Sequence, residues 1–141
     1  MSGGWKRLLL SIDVVTSKIL GKEDTMENNS KKMYSDDLRE RVLTLADLVA
    51  VQQGSVVSRM IINQDIGTVT LFAFDKGQGL SEHTAPFDAL VYLLEGEAEI
   101  TIAGTLLVLK AGQMIIMPAH KPHALKASTQ FKMLLVMIKK K

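Results

Sequence analysis

Residues 90 to 117 read LVYLLEGEAEITIAGTLLVLKAGQMIIM, a series of short apolar runs separated by turns that contain glycine. The turn signals are Glu95-Gly96, Ala103-Gly104 and Ala111-Gly112. Short β-prone runs with closely spaced turn signals are typical of an all-β sandwich or barrel. Within the stretch Glu97 and Glu99 alternate with Ala98 and Ile100, which predicts a strand with one wet face and one buried face.

The same pattern continues on both sides of this stretch. Further β-prone runs cover residues 56–62, 68–74 and 131–138. The last run is apolar on both faces, since Leu134 and Val136 oppose Met133 and Leu135. We therefore expect it to be covered by the barrel core on one side. On the other side, the cover is expected to be an N-terminal helix or a second subunit.

The chain before Gly54 has a different pattern. Apolar residues at helical spacing predict an amphipathic first helix, followed by a polar linker over residues 22–32. Ser35 is expected to start a second helix that Gly54 ends. We expect an N-terminal helical and linker extension over residues 1–54 and a barrel over 55–141. The residues on the apolar faces are Trp5, Leu8, Leu9, Ile12, Val15 and Ile19 in the first helix and Leu38, Val42, Leu45, Leu48 and Val49 in the second.

Composition narrows the function classes. A chain of 141 residues with 47% hydrophobic residues is the size of one domain with a core. The net charge of +2 gives no reason to expect nucleic acid as a partner, and no apolar run is long enough to span a bilayer. The absence of cysteine excludes disulfides, thiolate zinc sites and a cysteine nucleophile. We expect a cytoplasmic protein that binds neither nucleic acid nor membrane.

The candidate chemistry lies in two motifs around the histidines. The first places Gly77, His83, Ala85, Ala89 and Gly96 at the spacing Gly, five residues, His-x-His, three or four residues, Glu, six residues, Gly. The second places Gly112, Pro118, His120, His123 and Ala127 at the spacing Gly, five residues, Pro-x-Gly, two residues, His, three residues, Asn. In both motifs the chain resembles the cupin family over about residues 68–138, and six of the ten marked positions match.

This resemblance implies an all-β fold, the double-stranded β-helix or jelly-roll barrel of cupins. In family members with intact motifs, three histidines and one glutamate hold a divalent metal inside the barrel. Here Ala85 stands in place of the second histidine and Ala89 in place of the glutamate. The two imidazoles that remain, His83 and His123, are expected to bind a divalent transition metal weakly, if a cofactor is present at all.

Three further residues are candidates for additional metal ligands. Asp88 lies one residue before the lost glutamate; simple strand alternation points it away from the side of His83, but the Pro86-Phe87 turn leaves both orientations open. His120 replaces a glycine at a sharp turn, and we interpret it first as a turn residue, because histidine tolerates a left-handed backbone better than most residues. Glu82 is expected to face away from the interior. The tentative metal set is therefore His83, His123, His120 and Asp88.

Two function classes follow, and a third reading is that the barrel mainly forms dimers. The preferred hypothesis is a binding module that holds a small acidic or aromatic metabolite in the barrel interior. Its polar anchors would be His83 and His123, with apolar walls from Val91, Leu93 and Leu125. The alternative is a metal-dependent enzyme of the dioxygenase or isomerase type that acts on a small metabolite. Because family barrels often pair, we expect a homodimer under either hypothesis.

Overall fold

The computed structural model describes residues 38–141, which form two facing antiparallel sheets. One sheet has five strands in the order β1-β2-β9-β4-β7, and the other has four in the order β3-β8-β5-β6. The predicted all-β jelly-roll class is confirmed. In chain order the strands are β1 (Val56–Gln64), β2 (Gly67–Phe74), β3 (Gly79–His83), β4 (Phe87–Glu95), β5 (Glu97–Ile102), β6 (Thr105–Lys110), β7 (Met114–Met117), β8 (His123–Lys126) and β9 (Phe131–Lys139).

The main core lies between the two sheets and is filled by alternate residues of the central strands. In β4 the inward positions Phe87, Ala89, Val91 and Leu93 are buried, because successive side chains of a strand point to opposite faces. Aromatic rings close one part of this core, where Phe74 stacks on Phe131 with centroids 4.4 Å apart. Methionines 117, 133 and 137 fill the space beside the aromatic and aliphatic side chains.

A second, smaller cluster lies on the outer face of the five-stranded sheet. Leu71 and Ala73 of β2 are fully buried there although they point away from the main core. They are covered by the chain segment before the barrel, through Leu45, Leu48 and Val49. On the outside of β9, Leu134 packs against this cluster, so the cover at this point is a chain segment with a short 3-10 helix and not the predicted helix.

The predicted helix between Ser35 and Gly54 is wrong for the residues that the structure describes. Only a 3-10 helix, Leu45–Leu48, is present, and Val42 is fully exposed. Intrinsic propensity does not explain this difference, because residues 38–54 contain only four β-branched residues, Val42, Thr44, Val49 and Val51. The segment lies flat on the sheet, and Leu45, Leu48 and Val49 pack there without a long helix. Tertiary packing therefore decides the conformation of the segment. The predicted first helix over residues 5–19 lies outside the described residues.

Two cations from the strands hold this segment in place. Arg59 on β1 donates from Nη1 to the carbonyl oxygen of Leu48 at 3.2 Å. Lys132 on β9 donates from Nζ to the carbonyl oxygen of Ala46 at 2.8 Å. Because a 3-10 helix of four residues leaves most of its carbonyl groups without backbone partners, these charged donors satisfy groups that would otherwise need water.

Within residues 38–141, no helix has the length and apolar character needed to cross a membrane.

The turn at Gly96 between β4 and β5 requires glycine for two separate reasons, which predicts a large effect of substitution. Its φ is +79°, and a Cβ there would collide with the carbonyl oxygen of Gln130 and lie 2.9 Å from Phe131 Cβ. Gly104 has a similar φ of +83° but nothing within 4 Å of the added atom. We expect Gly104→Ala to cost about 1–2 kcal/mol from backbone strain alone. Gly96→Ala should cost about 1–3 kcal/mol more, because of overpacking.

Urea unfolding of the two variants measures this difference in the free energy of unfolding. Equal losses for Gly96→Ala and Gly104→Ala would contradict the close approach of the Gln130–Phe131 backbone to this turn.

Candidate functional site

The two histidines singled out in the motifs meet across a pair of neighbouring strands. His83 is the last residue of β3 and His123 is the first residue of β8, and they are Cα partners in the antiparallel register. Their ring centroids lie 4.4 Å apart with the planes at 73°, an edge-to-face arrangement. The sequence prediction that these two imidazoles share one environment is met by this geometry.

Both rings are fixed by the same type of hydrogen bond. His83 Nδ1 lies 2.7 Å from the carbonyl oxygen of Ser81, and His123 Nδ1 lies 3.0 Å from that of Lys121. A carbonyl oxygen can only accept, so each Nδ1 must carry the proton and donate it. In the neutral form each Nε2 therefore keeps its lone pair. No other residue of the described chain is hydrogen-bonded to either Nε2 atom.

Burial and charge make the two rings unequal. His123 is buried, with 4% of its surface exposed, whereas His83 is half-buried. Burial lowers the pKa of His123 below its ordinary value, and the nearby His83 lowers the pKa further by charge repulsion. The hydrogen bond to Lys121 opposes these effects but is the smallest of the three causes. His123 is consequently neutral at pH 7.

The pair lies where the strands end, at one mouth of the barrel. On the far side of β8 the partner of His123 is Ile102, the last residue of β5. Two residues deeper along β8, Leu125 lies between Leu80 on β3 and Ile100 on β5. The site thus has two imidazoles at the rim and a row of aliphatic side chains directly beneath them.

Three loops complete this mouth. The backbone N–H of His120 donates to the carbonyl oxygen of Ala85 at 2.8 Å, and Ala103 donates to Pro122 at 2.8 Å. These bonds tie the loop between β7 and β8 to the loops that follow β3 and β5. The position of the His123 ring is therefore set by the turn that precedes it as well as by the β8 pairing.

The two alanines at the lost ligand positions are part of the core. Ala85 and Ala89 are both buried in the main core cluster. Ala89 lies between its register partners Met117 on β7 and Met137 on β9, and both methionines are buried. Partners across an antiparallel ladder point to the same face, so thioether side chains flank the position where the family pattern has glutamate.

The remaining tentative ligands do not join the pair. Asp88 is exposed on the opposite face of β4, and its Oδ1 accepts a hydrogen bond from the backbone N–H of Ala119 at 2.9 Å. His120 is exposed and has a φ of +67°, as expected for a turn residue in place of glycine. Glu82 is exposed.

The predicted apolar walls are packed too tightly to be reached from solvent. Val91 and Leu93 have no exposed surface and Leu125 has almost none. All three belong to the main core cluster, so contact with a ligand would require that core to open. The partly buried hydrophobic residues next to the histidine pair are Leu80 and Ile102. Neither was predicted from the sequence as a ligand contact. The alternation of apolar and polar residues along β5 points Ile102 inward, so this pattern could have predicted Ile102 as a contact residue.

Comparison with known proteins places the chain in a family. The model of the cupin domain matches residues 70–139. A solved cupin superfamily protein from Desulfitobacterium hafniense is 33% identical, with a TM-score of 0.69 over 72% of this chain and 94% of that chain. The chain is a cupin.

Two further solved structures are similar to this cupin. A conserved protein of unknown function from Streptococcus pyogenes is 41% identical, with a TM-score of 0.70 over 72% of this chain and 90% of that chain. A Cupin 2 conserved barrel domain protein from Leptotrichia buccalis is 37% identical, with a TM-score of 0.67 over 69% of this chain and 47% of that chain. No protein in the curated set matches.

The donor set of this cupin does not fit the four-ligand metal site that the family motif implies. Residues 38–141 contain no group of three or more histidine, cysteine, aspartate or glutamate side chains arranged to hold a metal ion. The chain offers two imidazole nitrogens, and the other two motif positions carry methyl groups. Any metal bound at this point would need two or more ligands from water or from a bound molecule.

Restoring the missing donors tests whether these alanines occupy ligand positions. The double substitution Ala85→His and Ala89→Glu should raise affinity for Ni²⁺ at least 100-fold, at a cost of about 1–3 kcal/mol in stability because both sites are packed. Competition against a chromophoric chelator measures the affinity. The same two substitutions in a His123→Ala background should lose most of the gain in Ni²⁺ affinity. Unchanged affinity in the double variant would mean that positions 85 and 89 are not directed at the histidine pair.

The lowered pKa of His123 predicts a specific pH dependence. As pH falls, the unfolded chain takes up the proton on residue 123 before the folded chain does. Stability is therefore retained above about pH 6.5 and decreases as pH falls from there toward the folded pKa. NMR titration should give His123 a midpoint below the ordinary value. In His83→Gln the midpoint should rise only in part, because burial, the larger cause, remains.

Chemical unfolding between pH 7.5 and 5 measures the same effect as a loss of stability. A midpoint for His123 at or above the ordinary histidine value would contradict the burial of this ring.

Proposed function

We propose that this cupin is a binding protein for a small acidic or aromatic molecule, held at the barrel mouth by His83 and His123. The observation that carries the proposal is the paired arrangement of the rings, with each Nδ1 fixed on a backbone carbonyl and neither Nε2 hydrogen-bonded to any of residues 38–141. Two directed acceptors above an aliphatic floor match the usual composition of a ligand site, which combines apolar walls with a few placed polar groups.

The ligand class follows from the chemistry of the pair. A neutral Nε2 accepts a hydrogen bond from a hydroxyl or a carboxylic acid, and a protonated ring pairs with a carboxylate. Because charge repulsion from His83 lowers the pKa of His123, a second positive charge at the pair is disfavoured. A ligand with one carboxyl group suits this site. It can bring one proton with it as the carboxylic acid, or it can bind as the carboxylate while one proton is taken up. Leu80 and Ile102 offer an apolar surface for a ring or an alkyl group.

The binding region is shallower than the sequence suggested. The deeper residues Val91 and Leu93 are closed off by packing, so the proposed ligand contacts the rim of the barrel rather than its centre. We therefore move the proposed apolar contacts from Val91, Leu93 and Leu125 to Leu80 and Ile102, and keep His83 and His123 as the polar anchors.

The metal-dependent enzyme remains the competing proposal. It requires a metal centre, and this chain supplies two of the four donors that the family motif provides. Elemental analysis of untagged protein separates the two proposals. We expect less than one tenth of a transition-metal atom per chain, whereas one tightly held metal per chain would favour the enzyme.

The binding proposal is tested with benzoate as a small aromatic monoanion. Titration into ¹⁵N-labelled protein should shift the backbone signals of residues 83, 102 and 123 in a saturable manner, with or without EDTA. His83→Ala should weaken this binding at least tenfold, because the pair loses one of the two rings that can take up a proton and donate to the carboxylate. His120→Asn is the matched control, since it removes an exposed imidazole outside the pair and keeps a residue that tolerates positive φ.

Three results would count against the proposal. They are shifts that disappear with EDTA, shifts that are insensitive to His83→Ala, and equal losses in His83→Ala and His120→Asn.

A further inference from the structure

The turn between β5 and β6 determines which backbone groups of β6 are bonded to β5. Ala103 and Gly104 form this turn with φ values of +47° and +83°, and Ile102 is paired with Thr105 across it. A two-residue turn with positive φ at both positions is closed by a hydrogen-bonded pair, and such pairs alternate along an antiparallel ladder with pairs that have no mutual hydrogen bonds. Thr105 and every second residue after it are therefore bonded to β5, whereas the residues between them direct their N–H and C=O groups away from β5.

Two residues of β6 keep these outward backbone groups free. Leu106 and Val108 each direct one N–H and one C=O beyond the sheet edge, and none of residues 38–141 is hydrogen-bonded to these groups. Lys110 has the same orientation, but its N–H donates to Gln113 Oε1 at 2.9 Å and its C=O accepts from the Gln113 N–H at 2.9 Å. The open part of the edge thus offers two donors and two acceptors, and it ends at Lys110.

Apolar side chains accompany these groups on both faces of the sheet. On the outer face, Leu106 is exposed by 59% and Val108 by 49%. Leu107 lies on the core side, since its partner Ile100 is fully buried, but it is still exposed by 39% because no strand lies beyond β6. We call Leu106, Leu107, Val108 and Lys110 the β6 edge. Apolar surface beside unpaired backbone groups is a template for pairing with another strand.

The other three edge strands of residues 38–141 have features that hinder such pairing. The pairing of β1 with β2 and that of β3 with β8 both contain a register shift. Polar residues are exposed on both strands, Asn63 and Gln64 on β1 and Ser81 and Glu82 on β3. The fourth edge strand, β7, has only four residues. By contrast, β6 pairs regularly with β5 over six residues and contains neither proline nor an inward-pointing charge.

We propose that the β6 edge is the site where an extended segment of another protein adds as a strand. A second extended backbone presents donors and acceptors at the spacing that Leu106 and Val108 require, whereas the backbone groups of a helix are bonded internally. An apolar small molecule would cover the side chains but leave the four backbone groups without partners. The proposal is independent of the ligand site, because the β6 edge shares no residue with that site.

The side chains of the β6 edge define the chemistry of the added strand. In an antiparallel pair, the residues opposite Leu106 and Val108 lie beside these apolar side chains and should be β-branched. The residue between them points to the core side, next to Leu107, and should be apolar. Lys110 is exposed and forms no ion pair with residues 38–141, so an acidic residue opposite it is favoured. The expected segment of five residues therefore has an acidic first residue, an apolar fourth residue and β-branched third and fifth residues.

A synthetic peptide with this pattern tests the proposal on the full chain. Acetyl-Glu-Thr-Val-Leu-Val-amide places its glutamate opposite Lys110 and its two valines opposite Val108 and Leu106. In the free ¹⁵N-labelled protein, the amide protons of Leu106 and Val108 should exchange with solvent at least tenfold faster than that of Leu107, which is bonded to β5. Saturating peptide should remove this difference and should shift the signals of residues 105–110 in a saturable manner.

The matched control peptide carries N-methyl groups on both valines. It keeps every side chain but lacks the two donors that would meet the carbonyl groups of Val108 and Leu106. Its dissociation constant should therefore be at least tenfold higher than that of the unmodified peptide.

Three protein variants test the position of the added strand. Val108→Pro removes an outward N–H and leaves the bonds to β5 in place, as edge strands allow, and it should weaken peptide binding at least tenfold. Leu106→Lys should do the same by placing a charge on the edge. Ile138→Lys is the matched control, since Ile138 is exposed by 60% but lies on the other sheet, and it should change the affinity less than threefold. Circular dichroism shows that each variant is folded.

Three results would overturn the proposal. Slow exchange at both Leu106 and Val108 in the free chain would show that the edge is already paired, with a second copy or with another part of the same chain. Equal binding of the two peptides, or no saturable shifts at millimolar peptide, would show that main-chain pairing does not occur. Binding that tolerates both Val108→Pro and Leu106→Lys would place the peptide elsewhere.

Discussion

The pairing of β8 between β3 and β5 is the constraint on which the site depends. This short strand brings His123 beside His83 on one side and Ile102 on the other. The two histidines are 40 residues apart in the chain, so no local geometry could bring them together. Because β8 has only four residues, the turn before it and the backbone bond between His120 and Ala85 share in fixing its register.

The interior of the barrel is a packed hydrophobic core. Phenylalanine, methionine and alanine fill the space between the sheets, and the residues at the lost ligand positions belong to this packing. Alanine at position 89 with methionines on both sides replaces a charged donor with adaptable apolar surface. The paired imidazoles lie at the mouth, where His83 is still partly open to solvent.

The sequence predicted the fold well because its signals are local and periodic. The β-prone runs within residues 90–117 and those over 56–62, 68–74 and 131–138 are all strands. The residue pattern did not predict the two strands that carry the histidines, β3 and β8. Only the family motif indicated where they lie. Their sequences are short and polar, so strand pairing stabilises them rather than intrinsic propensity. The helix before Gly54 was wrong because Leu45, Leu48 and Val49 satisfy a helical spacing but pack on the sheet from a four-residue 3-10 helix and the extended residue after it. The depth of the site could not be predicted, since it depends on how completely Val91 and Leu93 are enclosed.

The most direct test of the central claim is the tautomeric state of the two rings. Long-range ¹H–¹⁵N correlation spectra at pH 7.5 should show a protonated Nδ1 and an unprotonated Nε2 for both His83 and His123. Nuclear Overhauser contacts between the two rings should accompany this pattern. Protons on Nε2, or rings without mutual contacts, would show that the backbone carbonyls of Ser81 and Lys121 do not hold the pair, and the account of the site would fail.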